Sequence, residues 1–443
     1  MTLTEGSKET IHFDMSPTTN LTDGSDKQEH PSDSATTPLA DTHATESAEV
    51  RVLRNAQELE GIRDFWMKSV EHPYCDLNFY LQVVSSKATV LRPHVLVLFR
   101  GQQPQAVLVG RLDKGRVDFQ LGYKRIFGLR ARTLTFLHGG FMGERTSENS
   151  ALFLRSVVRS LAEGEAHVAY FNHIRTDEPL YMEMQKLADP LCRRSFTAPL
   201  NHRGMTLARS SEEFLGLLSS KERNNQKRRT KRLQEDFSGQ VRLSCYRLPS
   251  DLETIVRDIN EIAQKTYQRT LGVGFEDTPE TRQQLRFALD RDWMRAYVLY
   301  LADRPCAFWM GNVYAKTFYS GFTGYDSAYS KYAPGMYLLL KALEQLCAEN
   351  SDGRVRATDF GLGDSEWKLI LGDLEWQEAP VRLFSPTARG LCLSLIHNAT
   401  QTLDVAGKKA LKRLQLIAHV KRLWRKRLRQ DETGEHSSQR KPS

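Results

Sequence analysis

Tyr325-Asp-Ser-Ala-Tyr-Ser-Lys-Tyr-Ala-Pro-Gly335 closes a run of apolar strand-like segments and opens a long apolar helix-like one. Upstream, Ala296–Leu301 and Cys306–Asn312 flank the turn Ala302-Asp-Arg-Pro305, and Thr317–Thr323 follows Tyr314-Ala-Lys316. Apolar runs separated by turn residues predict a β-meander. Downstream, Met336–Asn350 sets Leu339, Leu340, Leu343, Leu346 and Cys347 on one helical face, and Arg356–Phe360 returns as a strand. Pro and Gly are ordinary at a helix start. The free N–H groups of a first helical turn and the positive end of its dipole also make an anion site that a glycine lets a ligand approach closely. Tyr325, Tyr329 and Tyr332 beside Asp326 add polar aromatic groups at the end of a sheet, a setting that pockets favour.

A second polar insertion follows, Asp359-Phe-Gly-Leu-Gly-Asp-Ser-Glu-Trp-Lys368. As the end of a strand it should lie on the same side of the sheet as the preceding helix entry, bringing Asp364, Glu366 and Lys368 toward Tyr325. The alternative is a plain strand end with a glycine turn. Asp359-Phe-Gly361 spells a protein-kinase tripeptide, but no His-Arg-Asp loop or glycine-rich loop with its lysine accompanies it. Gly361-Leu-Gly363 lacks the third glycine of a dinucleotide fingerprint.

The earlier half reads similarly. A helical stretch spans Leu59–Val70, Val95–Phe99 and Ala106–Val109 flank a Gly101–Pro104 turn, and Leu134–Leu137 precedes a His138-Gly-Gly140 loop. Ser150–Glu163 then has amphipathic spacing, and His167–Phe171 follows as a strand. From His202 the order recurs, with helices over Ser211–Asp236 and Leu252–Thr270 before the meander. Strand hairpin, helix and strand in each half suggest a duplicated α/β fold, although no residue-level repeat is legible.

At 443 residues the chain exceeds what one average core supports. Residues 1–49 carry ten acids against two bases and few large apolar groups, and read as a disordered acidic tail. No secretory signal or membrane-spanning run is legible, so a cytoplasmic protein is expected. Six scattered cysteines without a Cys-x-x-Cys pair argue against a zinc site and a disulfide framework, and His167 and His173 lack ligand spacing; no metal is expected. The charged run Lys221–Arg232 is a solvated helix face or faces an anion; with no recognition motif beside it, nucleic acid is disfavoured. Residues 408–429 hold ten Lys/Arg and no acid around Leu411, Leu414, Ile417 and Leu423. This basic helix reads as a membrane-surface helix, an RNA contact or a solvated cap, and Trp424 among arginines favours peripheral contact with the inner membrane face.

Tyr297-Val-Leu-Tyr-Leu-Ala-Asp-Arg-Pro-Cys-Ala-Phe-Trp309, Gly324-Tyr-Asp326, Tyr332-Ala-Pro-Gly335 and Asp359-Phe-Gly-Leu-Gly-Asp364 with Trp367-Lys368 together resemble the CelD/BcsL-type branch of the GNAT acetyltransferases. Ser219-Ser-Lys-Glu-Arg-Asn-Asn225 resembles the segment that opens the second domain of that branch. The resemblance covers roughly residues 50–390. It implies two tandem GNAT-like domains, each a mixed, mostly antiparallel sheet flanked by helices, at 50–200 and 201–390. A basic helical extension at 391–430 and a disordered tail at 431–443 follow.

The resemblance further implies acetyl-CoA or another acyl-CoA held by Tyr332, Ala333, Pro334, Gly335 and Met336, where Met336 stands in place of the family's Gly or Ala. The acceptor, a small molecule or saccharide in envelope or polysaccharide synthesis, would meet Asp326, Tyr329 and Lys368. Acyl transfer needs a base, assigned to Asp364 or Glu366, and an acid for the thiolate, assigned to Tyr325 or Tyr332. Tyrosine suits the latter, its reference pKa of about 10 lying above the thiol's, about 8.5. The related FemABX aminoacyltransferases, which use aminoacyl-tRNA, are the alternative, and a catalytically silent GNAT-like scaffold is a third reading.

Overall fold

The computed structural model describes residues 47–121, 124–187, 193–266 and 274–413. Within them the strands are β1 (Ala48–Leu53), β2 (Val90–Pro93), β3 (Val95–Arg100), β4 (Gln103–Leu121), β5 (Lys124–Gly143), β6 (Val168–Arg175) and β7 (Arg194–Phe196). The remainder are β8 (Leu200–Thr206), β9 (Val241–Tyr246), β10 (Met294–Leu301), β11 (Arg304–Tyr314), β12 (Thr317–Tyr325), β13 (Ala357–Leu362) and β14 (Leu374–Phe384). All join one sheet, ordered β1-β3-β4-β5-β6-β14-β8-β13-β12-β11-β10-β9, with β2 beside β4 and β7 beside β14.

The expected duplication is present in the element order. Each half has an edge strand (β1 or β9), helices, three antiparallel strands (β3–β5 or β10–β12), a long helix (Ser147–Ala162 or Pro334–Ser351) and a strand that joins the sheet in parallel (β6 or β13). A short helix (Pro179–Lys186 or Glu366–Leu371) and a last strand complete it. Those last strands are exchanged. β8, from the first half, pairs antiparallel with β13 of the second, β14 pairs with β6 of the first, and β8 and β14 pair with each other at the centre.

Packing explains why the meander is legible. Every residue of β10 is buried, because helices cover both its faces, and a strand covered on both sides reads as a continuous apolar run rather than an alternation. Val298, Tyr300 and Met310 pack under the helices Leu252–Ala263 and Pro279–Leu289, while Tyr297, Leu299 and Trp309 pack under Pro334–Ser351. Leu340, Leu343 and Leu346 have no exposed surface, and burying each contributes about 1.5–3 kcal/mol.

Two local expectations are corrected. Ser211–Asp236 is two helices, Ser211–Leu217 and Ser220–Asp236, because the Ser219 hydroxyl accepts from Glu222 N at 3.1 Å and caps a new start. His138-Gly139-Gly140 is not a loop but part of β5. Leu108 pairs with Phe141 and Gly110 with Phe136, so Leu137–Gly140 bulge out opposite Val109, with Gly139 at φ +67°. The C-terminal segment is helical over Ala388–Arg413; the remainder of the basic run and the acidic tail lie outside the described residues. No helix among the described residues is long and apolar enough to cross a membrane.

Candidate active site

The parallel join of β12 and β13 is short. Only Thr317–Tyr319 pair with Ala357–Asp359, after which the strands part although β12 continues to Tyr325 and β13 to Leu362. A register shift between Trp309 and Gly311 bulges the β11–β12 ladder beside this fork. At the open end stands the helix Pro334–Ser351. Its N-cap is Ala333 in the left-handed conformation (φ 48°, ψ 53°), which supplies no side-chain cap, and Pro334 has no N–H. The first turn therefore directs backbone N–H groups at Gly335 and Met336 outward without a side-chain acceptor, the arrangement that binds phosphate at helix starts.

Residues Tyr325–Met336 gather around that helix start. Tyr325 ends β12 and is 43% exposed, and its ring lies 3.4 Å from where a Cβ on Gly335 would stand. Asp326 is buried; it caps the following 3-10 turn by accepting from Ala328 N at 2.9 Å, and pairs with Lys265 Nζ at 3.2 Å. Tyr329 packs on the core with its ring 6.4 Å from Phe237, and Met336 is half-buried against the same core. The Tyr332 hydroxyl donates to Asp236 Oδ2 at 2.6 Å, tying the turn to the end of the charged helix Ser220–Asp236. An open depression of about 420 Å³ lies beside Asp326 and Tyr329, lined also by Glu261, Lys265 and Arg304.

The second insertion sits at the end of β13. Asp364 is fixed between Arg203 Nε at 2.7 Å and Asn201 Nδ2 at 2.8 Å. Glu366 is exposed in the first turn of its helix. Lys368 is buried and donates to Leu362 O at 2.6 Å, holding the Gly361–Asp364 turn against its own helix.

At the base of the fork lies a cluster that sequence reasoning did not assemble. His202 Nε2 is 2.5 Å from Asp359 Oδ1, and Asp359 Oδ1 also accepts from Gly361 N at 2.7 Å. On its other side, His202 Nδ1 is 3.2 Å from Glu378 Oε1, close enough to pair but out of line for a hydrogen bond. His138 Nε2 reaches Glu378 at 3.1 Å, and Trp376 Nε1 donates to Glu378 Oε1 at 2.7 Å. His202 is stacked between Trp376 (4.4 Å) and His138 (5.8 Å), and His72 stands edge-on to His138 and Tyr319. Only Asp359 belongs to a stretch that the sequence marked. The others come from the 71–76 segment, the β5 bulge, β8 and β14.

This cluster attracts positive charge. Burial alone would depress His202, but the Asp359 and Glu378 carboxylates outweigh it and lift the imidazole to about 9. Burial likewise opposes charging of His138, and Glu378 more than offsets it, so this imidazole is also raised. Both carboxylates lie below their usual range despite burial, Asp359 held there chiefly by His202 and Glu378 by His138. His72, buried and next to His138, is pushed down to about 3 and stays neutral.

Residues 220–369 match the family described as acetyltransferase (GNAT) domain. No curated protein matches the chain. Similar solved structures include a conserved protein of unknown function from Bacteroides thetaiotaomicron VPI-5482, 12% identical over 75% of this chain and 100% of that one, with a TM-score of 0.45. Others are FemX (10% identity, 67% and 90% covered, TM-score 0.43) and a tandem GNAT protein from the clavulanic acid biosynthesis pathway (12%, 77% and 100%, TM-score 0.44). These likenesses are loose, whereas the family match runs from the charged helix through the meander and fork to the short helix after β13. That segment carries the likeness to the GNAT acetyltransferase domain.

Proposed function

We propose that the chain is an acyltransferase of the CelD/BcsL type that moves an acetyl or longer acyl group from acyl-CoA to an amine or hydroxyl. The observation that carries this reading is the β12–β13 fork with an uncapped helix start at its open end, inside the segment matched as a GNAT domain. The diphosphate would rest on the N–H groups of Gly335 and Met336, and the acyl arm would lie along the fork. Acyl-CoA supplies an activated thioester carbonyl.

The acceptor's nitrogen or oxygen attacks that carbonyl, its proton passes to a carboxylate, the C–S bond breaks and the departing thiolate takes a proton. Tyr325 is the proton donor, since it is exposed at the end of β12 with its ring 3.4 Å from where a Gly335 Cβ would stand, whereas the Tyr332 hydroxyl is committed to Asp236. The base is Asp364, oriented by Arg203, or the freer Glu366. The acceptor is proposed to be a small molecule or saccharide, and the basic segment 408–429 to rest on an inner membrane face.

Calorimetric titration with acetyl-CoA tests the reading. Wild type should bind. Gly335→Trp, which drives a bulky ring into Tyr325 and over the helix start, should lose binding while keeping its far-UV spectrum. Tyr325→Phe should bind normally yet slow acyl transfer about 100-fold or more. Absence of binding to any acyl-CoA overturns the proposal.

A further inference from the structure

We propose that His138, His202 and Glu378 form a binding site for a divalent transition-metal ion at the seam between the two halves. One ligand atom from each lies within 4.8 Å of the other two. Glu378 is 3.1 Å from His138 Nε2 and 3.2 Å from His202 Nδ1. Metal–nitrogen and metal–oxygen bonds of about 2.0–2.2 Å set neighbouring ligand atoms roughly 3–3.5 Å apart, the spacing that Glu378 has to each imidazole.

Two of its atoms are also unsatisfied. His202 Nδ1 and Glu378 Oε2 are buried with no hydrogen-bond partner, on residues 4% and 2% exposed. A buried orphan costs about 1–3 kcal/mol, and a cation bound among these groups would satisfy both. Asp359 takes His202 Nε2, and Trp376 Nε1 donates to Glu378 Oε1, while Oε2 lies 3.1 Å from His138 Nε2. Such outer partners orient the ligands of metal centres.

The donors stand on β5, β8 and β14, and stacking against Trp376 fixes the His202 ring. Two imidazoles and a carboxylate suit zinc or ferrous iron rather than magnesium or calcium. With three protein donors and the His138 side chain 24% exposed, further coordination positions face outward, as in centres that bind water or substrate.

The test uses the untagged full chain, stripped with a chelator and then titrated with zinc chloride. One equivalent should bind and the melting temperature should rise by several degrees, while magnesium at the same concentration leaves it unchanged. His138→Gln, at the most exposed ligand and so least disturbing to folding, should abolish the zinc-dependent shift but retain the metal-free melting temperature. Asp359→Asn, which keeps an acceptor for Gly361 N, should weaken zinc binding about 10- to 100-fold. Failure of wild type to take up zinc would show that a proton alone neutralises the cluster and overturns the proposal. So would zinc binding undiminished in His138→Gln.

Discussion

Ala333 carries the cost of the helix start. An L-residue in the left-handed region loses roughly 1–2 kcal/mol, which glycine avoids while giving back about 0.5–1 kcal/mol in chain entropy. Ala333→Gly should therefore raise stability by up to about 1 kcal/mol, read as a higher urea midpoint at unchanged slope; a lower midpoint would mean that the methyl packs usefully. A second residue-scale prediction concerns pH. His397 is buried in the helix Ala388–Arg413 beside Ser195, and burial, with Arg382 adding to it, lowers its pKa from 6.5 to about 4. Between those values the unfolded chain binds the extra proton, so this contribution to stability is intact above about pH 6.5 and is lost as pH falls toward 4, on the order of 2–3 kcal/mol. His397→Gln, which retains a donor for Ser195, should flatten the fall in melting temperature over that window. The residues of the helix start were legible because turn chemistry and helical spacing are local. The histidine cluster was not, since no local rule links His72, His138, His202 and Glu378; only the exchanged strands bring them together.

Glycines mark where the elements depart from regularity. Gly139-Gly140 after His138 signals a turn, yet the same freedom at positive φ serves a bulge inside a strand, and sequence alone does not separate the two. The bulge has a purpose visible in space: it turns His138 toward Glu378 and lets Gly139 lie against His72, where an added Cβ would stand 2.7 Å from His72 Cβ. Gly139→Ala meets both the clash and the left-handed strain, so it should cost about 2 kcal/mol or more and weaken zinc binding by displacing His138. A variant with unchanged stability and unchanged metal affinity would show that the bulge has room to adjust. By contrast, the meander was read within a residue or two. β10 and most of β11 are buried, and the Ala302–Asp303 and Ala315–Lys316 connections are short turns with positive-φ residues.

At the scale of the molecule, the exchange of β8 and β14 determines what can fold alone. Ala379, Val381 and Leu383 of β14 are buried in the core of the first half, against Ala169 and Phe171 of β6, although they lie more than two hundred residues later in the chain. A fragment of residues 47–199 would lose those three side chains and leave β6 with an open, apolar edge. The lost burial alone amounts to several kcal/mol, comparable with the whole stability of an ordinary domain, and an uncovered edge strand invites aggregation. That fragment should therefore be soluble only when co-produced with residues 200–413, which bring β14 to β6. Size-exclusion chromatography of the separate and joint products decides this, and a monomeric, cooperatively melting 47–199 fragment would contradict it. The metal cluster gives a second reading of the same experiment. His138 lies on one fragment and His202 and Glu378 on the other, so zinc should stabilise only the reassembled pair.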